Sequence, residues 1–420
     1  MTPRAFLFSL EQIGIKLGLE QIRALLDQLG RPDRAFPSLI VAGTNGKGSV
    51  AAMVERGLRA AGYRTGRYTS PHLVHLEERF AIDGQPISAD LVDRLAARVQ
   101  AASHHLPAPP SFFEATTAVA LEAFREQAVT VAVLEVGLGG RLDATNAVDP
   151  VAVAITAIDF DHEHWLGETI DAIAREKAGV VKAGVIAVLA ENPPIVDDVV
   201  AATCAEVGAH LVRATDTTVL NVRLIGGHAE LTLVTPRARY ERLTLGLAGR
   251  HQVQNAIVAI RLLEELSENG LFDVLPYAIR TGVEQVVWPA RLERLSARGL
   301  ELLIDGAHNP AGARALAAHL GEVYARRLPM VVAIMADKRV SELIAALAPA
   351  ASHLVFTAPN TPRAARPVDL AATAARVAPD LPVAWFARPE DAVAHAATLG
   401  SPIVVAGSLY LAGEVRAQFS

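Results

Sequence analysis

Residues 40–49, Ile40-Val41-Ala42-Gly43-Thr44-Asn45-Gly46-Lys47-Gly48-Ser49, constrain this chain more than any other stretch. An apolar run ends in glycines, one lysine and two hydroxyls. From Val50 to Ala61 the chain reads as a helix, with Val50, Met53, Val54, Leu58 and Ala61 on one face. Strand, glycine loop, lysine and helix together make a phosphate cradle. Glycines let backbone N–H groups turn toward an anion, and the helix N-terminus adds partial positive charge. The lysine adds a full charge, and a hydroxyl can ligate Mg²⁺. The usual G-x-x-x-x-G-K-[ST] pattern is met imperfectly. Val41 stands at its first glycine, and Gly48 follows Lys47 where a hydroxyl is usual. A plain strand-to-helix turn needs neither three glycines nor a lysine between two of them.

A chain of 420 residues is long for one core, so two domains are expected. A net charge of −6 offers no electrostatic reason to bind nucleic acid or an anionic membrane. Cys204 is the only cysteine, which rules out an internal disulfide and suits a reducing cytoplasm. The first eight residues lack the apolar core of a signal peptide, and no apolar run reaches the ~18 residues of a membrane helix. A cytoplasmic protein is expected.

Residues 7–30 read as a helix stopped at Gly30. Strand and helix signals then alternate: the phosphate loop and its helix, a strand over 63–69, helices over 90–101 and 112–124, and buried strands over 129–136 and 151–158. A helix over 169–178 and a strand over 185–189 follow. Between about 215 and 247 the apolar period changes to two, which predicts a small antiparallel patch. A helix over 252–265 leads to a linker at Val287-Trp288-Pro289-Ala290-Arg291. A fresh alternation follows, with strands expected over 300–304, 329–334, 353–356, 382–386 and 402–406. The expected fold is α/β. A P-loop-type, doubly wound, mostly parallel sheet with an antiparallel patch occupies 1–287, and a smaller Rossmann-like domain occupies 288–420.

In open α/β sheets, ligands bind beyond the carboxyl ends of the strands. Ser70, Glu135 and His162 fall at such ends in the first domain. Together near bound phosphates they would form a Mg²⁺ site completed by water. Singly they read as a turn residue, an ion-paired strand end and a structural histidine. Lys177, within Arg175-Glu176-Lys177-Ala178-Gly179, reads equally as a solvated helix lysine. In the second domain, Asp305 ends a strand and could hold a ribose or a metal-bound water. Asn309 and Pro310 read as the N-cap and first residue of the next helix.

These segments resemble a known family. Ala42 to Ser49, Thr69-Ser70-Pro71-His72-Leu73, and the run from Leu134 to Asn146 resemble folylpolyglutamate and dihydrofolate synthases, the folate branch of the Mur-ligase superfamily. So do Asp161-His162, Arg175 to Gly179, His251 to Ala256, Asp305 to Pro310 and Gly407 to Leu411. The motifs run in family order through essentially the whole chain. The resemblance implies an ATP-dependent ligase that phosphorylates a substrate carboxylate and lets the amine of L-glutamate attack the acyl phosphate. Thr44, Asn45, Gly46, Lys47, Gly48 and Ser49 would hold the phosphates of ATP. Ser70, Glu135 and His162 match Mg²⁺ ligands, and Lys177 matches a carbamylated lysine. Catalysis would rest on Lys47, Lys177, His162 and Glu135. Asn255, Arg291, Asp305 and His308 match ATP contacts. A pterin would lie near Ser111, Phe112, Phe113 and Glu114, and near Leu142, Asp143 and Ala144. Expected partners are dihydropteroate or a reduced folate, L-glutamate and ATP, with Mg²⁺ and room for a monovalent cation, in a monomer.

Two residues depart from the family pattern: Ala290 where Pro-Gly-Arg is usual at the linker, and Lys16 where some dihydrofolate-making members carry aspartate. Polyglutamylation alone, another Mur-type amino-acid ligase and a nucleotide-gated binding protein are the competing readings.

Overall fold

The computed structural model describes residues 1–419. Two compact units form. One comprises 1–221, 231–244 and 254–286, and the other 222–230, 245–253 and the chain from Val287 onward.

The first unit is built on an eight-stranded sheet. Its strands lie in the order Gln85–Pro86, Phe80–Ile82, Thr65–Tyr68, Val131–Glu135, Ser38–Ala42, Pro150–Ile155, Ile186–Leu189 and His210–Arg213. The last six run parallel, and the first two form an antiparallel edge. Ser38–Ala42 and Val131–Glu135 are buried along their whole length, the pattern of strands covered on both faces. Register sets the site. Val41 pairs with Glu135, Tyr68 with Leu134, and Ala42 with Ile155. Four neighbouring strands therefore end in one row.

The helix expected over 7–30 is interrupted. Helix Pro3–Ser9 runs into a 3₁₀ turn, Leu10–Ile13, and the helix resumes only at Glu20–Gln28. Gly14 and Gly18, at φ 75° and 146°, bracket the irregular segment. The apolar periodicity spans the break because Leu7, Leu10, Ile22, Leu25 and Leu26 all reach one core.

The antiparallel patch is a three-stranded sheet, Thr218–Ile225, His228–Val234 and Arg239–Ala248. Helix His251–Glu268 follows it. Further on, Gly57 and Gly282 let helices Lys47–Ala60 and Pro276–Glu284 pack backbone to backbone. A Cβ on Gly282 would lie 2.8 Å from the Met53 carbonyl.

In the second unit six strands lie in the order Glu293–Ala297, Leu300–Ile304, Ile403–Ala406, Leu328–Val332, Ala351–Phe356 and Val383–Trp385. All but the first run parallel, and Glu293–Ala297 is an antiparallel edge that the alternation did not reveal. Its burial alternates weakly, as an edge strand's does. Among the described residues, no helix is long and apolar enough to cross a membrane.

Candidate active site

In the first unit, the loop after Ala42 is held open by its neighbours. Thr44 and Asn45 donate backbone N–H groups to the Ala157 carbonyl at 2.8 and 3.2 Å. The Thr44 hydroxyl donates to the Asp159 carbonyl (3.0 Å) and accepts from the Asp159 N–H (3.1 Å). Gly43, at φ 140°, lies against Thr156, whose hydroxyl would sit 1.9 Å from a Cβ there. Gly46, at φ 91°, leads into helix Lys47–Ala60, and the Asn255 carboxamide oxygen would meet its Cβ at 2.2 Å. Asn255 thus packs directly on the glycine loop. The glycine loop runs straight into a helix N-terminus, the arrangement that binds phosphate.

Two ammonium groups meet at this loop. Lys47 Nζ donates to the carbonyls of Gly43 (3.1 Å) and Thr44 (3.0 Å), and Lys177 Nζ donates to the same Gly43 carbonyl (2.8 Å). Lys177 is 4% exposed, which excludes the solvated reading. Burial, then the Lys47 charge, lowers its pKa to about 7, opposed by Asp161 and Asp143. Loop 137–143 clamps the Lys177 turn: the Arg141 N–H donates to the Glu176 carbonyl (2.8 Å), and the Arg141 and Glu176 side chains pair at 2.7 Å.

Of the three expected metal ligands, Ser70 and Glu135 are brought together, the Ser70 N–H donating to Glu135 Oε2 at 3.1 Å. Glu135 is 6% exposed. His162 follows strand Pro150–Ile155, on the far side of Ser38–Ala42 from Glu135, and at φ 54° it stands at the N-terminus of a short helix, Glu163–Leu166. Its N–H donates to Asp161 Oδ1 (2.9 Å). Among the described residues no group of three His, Cys, Asp or Glu forms a metal cage. A hydroxyl, a carboxylate and an imidazole suit a hard divalent cation that keeps several waters.

The pterin candidates form a second wall of this unit. Phe113 lies against Gly137, where a Cβ would be 2.5 Å from its ring, and against Tyr68 at 5.8 Å between centroids. Phe112 stacks on Phe8 at 6.0 Å and lies beneath the Arg79 guanidinium at 5.1 Å. Both rings are only partly buried. Ser111 and Glu114 form a reciprocal capping box, the Glu114 carboxylate accepting from the Ser111 N–H at 2.7 Å. Asp143 is 4% exposed and accepts from the Leu138 N–H (2.8 Å), the Thr145 N–H (3.0 Å) and the Thr145 hydroxyl (2.6 Å). These two carboxylates shape the walls, and Leu142 and Ala144 flank Asp143 on the same loop.

Sequence reasoning missed Arg79 and Glu78. Glu78 accepts three successive backbone N–H groups, from Leu73 (2.7 Å), Val74 (3.1 Å) and His75 (2.9 Å), so it folds the loop that follows Ser70. Arg79 Nε donates to His72 Nδ1 at 2.9 Å. Burial, then the Arg79 charge, pushes the His72 pKa down to about 4. Position alone could have flagged both, since they follow the Ser-Pro-His segment by a few residues.

In the second unit, Asp305 ends strand Leu300–Ile304. Its carboxylate accepts from the Ala307 N–H (2.9 Å) and the Leu292 N–H (3.0 Å). Burial raises its pKa, while Arg291 opposes the rise. Arg291 Nη1 lies 3.2 Å from the position of a Cβ on Gly306. His308 Nδ1–H donates to the Gly306 carbonyl at 2.8 Å. Asn309 caps helix Pro310–Val323, as its sequence position indicates. Ser408, which sequence reasoning placed only in a motif, is buried beside this group. It accepts from the Tyr410 N–H (3.1 Å), and the Gly407 N–H donates to the Ala307 carbonyl (2.8 Å).

The profile described as Mur ligase middle domain matches residues 41–263, and that described as Mur ligase, glutamate ligase domain matches 290–409. The chain is 32% identical to a dihydrofolate synthase/folylpolyglutamate synthase of Bacillus subtilis, over 98% of this chain and 97% of that one. It superposes on Mycobacterium tuberculosis folylpolyglutamate synthase complexed with ADP and AMPPCP with a TM-score of 0.91 at 36% identity, covering 100% and 99% of the two chains. A bifunctional folylpolyglutamate synthase/dihydrofolate synthase with Mn, AMPPNP and L-glutamate bound gives a TM-score of 0.86 at 31% identity, covering 100% and 98%.

Proposed function

Because the chain belongs to the Mur ligases, in the folylpolyglutamate synthase/dihydrofolate synthase branch that joins glutamate to folates at the expense of ATP, we propose that it carries out both amide-forming steps of that branch with the residues described above. The observation that carries this reading is the row of strand ends in the first unit. There two lysines share the Gly43 carbonyl and the Ser70 amide rests on Glu135.

A carboxylate is a poor electrophile. Its oxygen attacks the γ-phosphorus of ATP, the bond to ADP breaks, and an acyl phosphate forms. The neutral amine of glutamate then attacks the acyl carbon, phosphate leaves with the electron pair, and the amine sheds a proton to water. Bringing anions together calls for positive charge and positioning. The loop from Thr44 to Ser49, through the amides of Gly46 to Ser49 and the Lys47 ammonium, holds the β- and γ-phosphates. Ser70, Glu135 and His162 hold the divalent cation, which we take to be Mg²⁺ and which neutralises the phosphate oxygens when bound. A carbamate on Lys177 would turn a buried amine into an anion and supply negative charge for a cation held there. Asn255, Arg291, Asp305 and His308 contact ATP. Phe112 and Phe113 offer flat apolar faces to the pterin, with Ser111, Glu114, Leu142, Asp143 and Ala144 shaping its pocket. A cytoplasmic site of action is part of the same proposal.

Bifunctionality turns on the acceptor. Dihydropteroate and a reduced folate differ in where the reacting carboxylate lies, not in its chemistry. Lys16 does not argue against dihydropteroate: its ammonium is exposed and donates to the Pro109 carbonyl at 3.0 Å. The test is incubation with ATP, Mg²⁺, L-glutamate and either dihydropteroate or tetrahydrofolate, read by mass spectrometry. Both substrates should gain one glutamate. Addition to tetrahydrofolate alone would reduce the activity to polyglutamylation.

A further inference from the structure

The backbone on either side of Arg291 is unusual. Ala290 and Leu292 both lie in the left-handed region, at φ 56° and 52°, where residues with a Cβ are rarely found. Such conformations persist only where the surroundings over-determine them, and here they do. The Ala290 N–H donates to Glu293 Oε2 (2.9 Å), and the Ala290 carbonyl accepts from the Gly306 N–H (2.8 Å). The Leu292 N–H donates to Asp305 Oδ2 (3.0 Å). The side chains of Ala290 and Leu292 are buried, at 0% and 4% exposure, and Leu292 packs into the core of this unit. Glu293 is anchored in turn. Arg416, on helix Leu409–Phe419, places Nε 3.1 Å from each of its carboxylate oxygens, and Glu293 pairs with Ile304 in the sheet. The kink is therefore tied to the strand end that carries Asp305, and Arg291 projects from its centre over Gly306.

We propose that Glu293 is a positioning residue for ATP: by holding the Ala290 amide it maintains the left-handed kink that aims the Arg291 guanidinium. This rests on the reading of Arg291 as an ATP contact. Asp305 shares the task from the other side, since the same carboxylate that accepts from Ala307 also holds the Leu292 amide. Glu293 makes no contact with the reacting atoms and acts through Arg291 alone.

The chemistry of the side chain separates the kink from the ion pair. Glu293→Gln keeps an oxygen for the Ala290 N–H and loses the charge paired with Arg416. Glu293→Ala loses both. Ala290→Gly leaves every side-chain contact of Glu293 in place and relieves the strain of the left-handed φ, which glycine adopts freely, so the kink depends less on the Glu293 carboxylate. The measurements are the affinity for a non-hydrolysable ATP analogue by calorimetry and the KM and kcat of the folded variants. Glu293→Ala is expected to weaken analogue binding and raise the KM for ATP by about tenfold, as loss of a hydrogen bond to a charged group does. The KM for the pterin substrate should be unchanged. Glu293→Gln and Ala290→Gly should each stay within about threefold of the parent, and Ala290→Gly added to Glu293→Ala should recover part of the binding that Glu293→Ala loses. Arg291→Met tests the underlying reading. If it leaves ATP binding intact, Arg291 is no ATP contact and the positioning role has no object. If Arg291→Met weakens binding while Glu293→Ala does not, the ATP contact stands and the positioning role is overturned. Should Glu293→Ala fail to fold, Glu293→Met, which keeps the bulk of the side chain and removes its acceptor oxygens, takes its place, unchanged binding sinking the proposal.

Discussion

Lys47 and Lys177 donate to one and the same carbonyl, that of Gly43, at 3.1 and 2.8 Å. The two come from helices far apart in the chain, Lys47–Ala60 and Ile170–Ala178. The charge of Lys47 and the burial of Lys177 act in the same direction on the second amine and lower its pKa to about 7. A neutral amine attacks CO₂, forms an N–C bond and sheds a proton. The protonated amine has no electron pair to offer.

The first expectation follows from that pair. Lys177→Ala should abolish ligase turnover, and short carboxylates such as acetate should restore part of it by occupying the vacated position. In the parent enzyme, activation by bicarbonate after CO₂ depletion should be stronger at pH 8 than at pH 6, because the neutral amine predominates above about pH 7. A bare amine at Lys177 in electron density of fully active crystals would overturn the carbamate.

Removal of the first ammonium is a separate test. Lys47→Ala should leave the circular dichroism spectrum unchanged and lower kcat by ~10²-fold or more, the cost of losing one charge contact to a transferring phosphoryl group. Turnover within about tenfold of the parent would reduce the loop to a turn.

Two glycines are expected to tolerate no methyl group. In Gly46→Ala the new Cβ would meet Asn255 Oδ1 at 2.2 Å on a residue already at φ 91°, so nucleotide binding should be lost while the fold survives. In Gly140→Ala it would lie 2.8 Å from the carbonyls of Glu176 and Lys177, which are backbone and cannot turn aside. That variant should lose about 1–3 kcal/mol of stability in urea unfolding as well as activity. Parent-like stability and turnover would show that the Lys177 turn yields freely.

Acid should destabilise the fold in a defined window. Burial is the leading cause that lowers the pKa of His72, His251 and His319 from 6.5 to about 4. The unfolded chain takes up protons at these positions below pH 6.5 while the folded chain does not. Stability is therefore fully retained above about pH 6.5, falls as the pH drops toward 4, and reaches its full penalty below that. Denaturant titrations between pH 4 and 7 should show this slope, and His319→Gln should flatten it. An equal slope in that variant would remove His319 from the account.

Much of this was legible in the residues. The glycine loop, the buried strands and the Asn309-Pro310 helix start are local: backbone conformation at a glycine, burial on both faces of a strand and capping chemistry all act over a few neighbours. Periodicity misled where two local features shared one core. Leu7 and Leu10 and then Ile22, Leu25 and Leu26 keep helical spacing across a break that Gly14 and Gly18 impose. The antiparallel strand Glu293–Ala297 escaped notice because an edge strand alternates too weakly to announce itself.

Contacts between distant segments were settled only by the tertiary structure. Nothing near Lys177 in the chain says that it is buried, since the carbonyl it meets is 134 residues away. Ser70 and Glu135 become neighbours through the register of two parallel strands, a long-range pairing that neither segment encodes by itself. Asp143 and Glu114 read as ligand-binding carboxylates, yet in the fold each accepts hydrogen bonds from its own loop. Residue type and spacing determined which groups this protein possesses. Which of them are desolvated, paired or strained depends on what the folded chain brings against them, because burial and electrostatics act through space and not along the sequence.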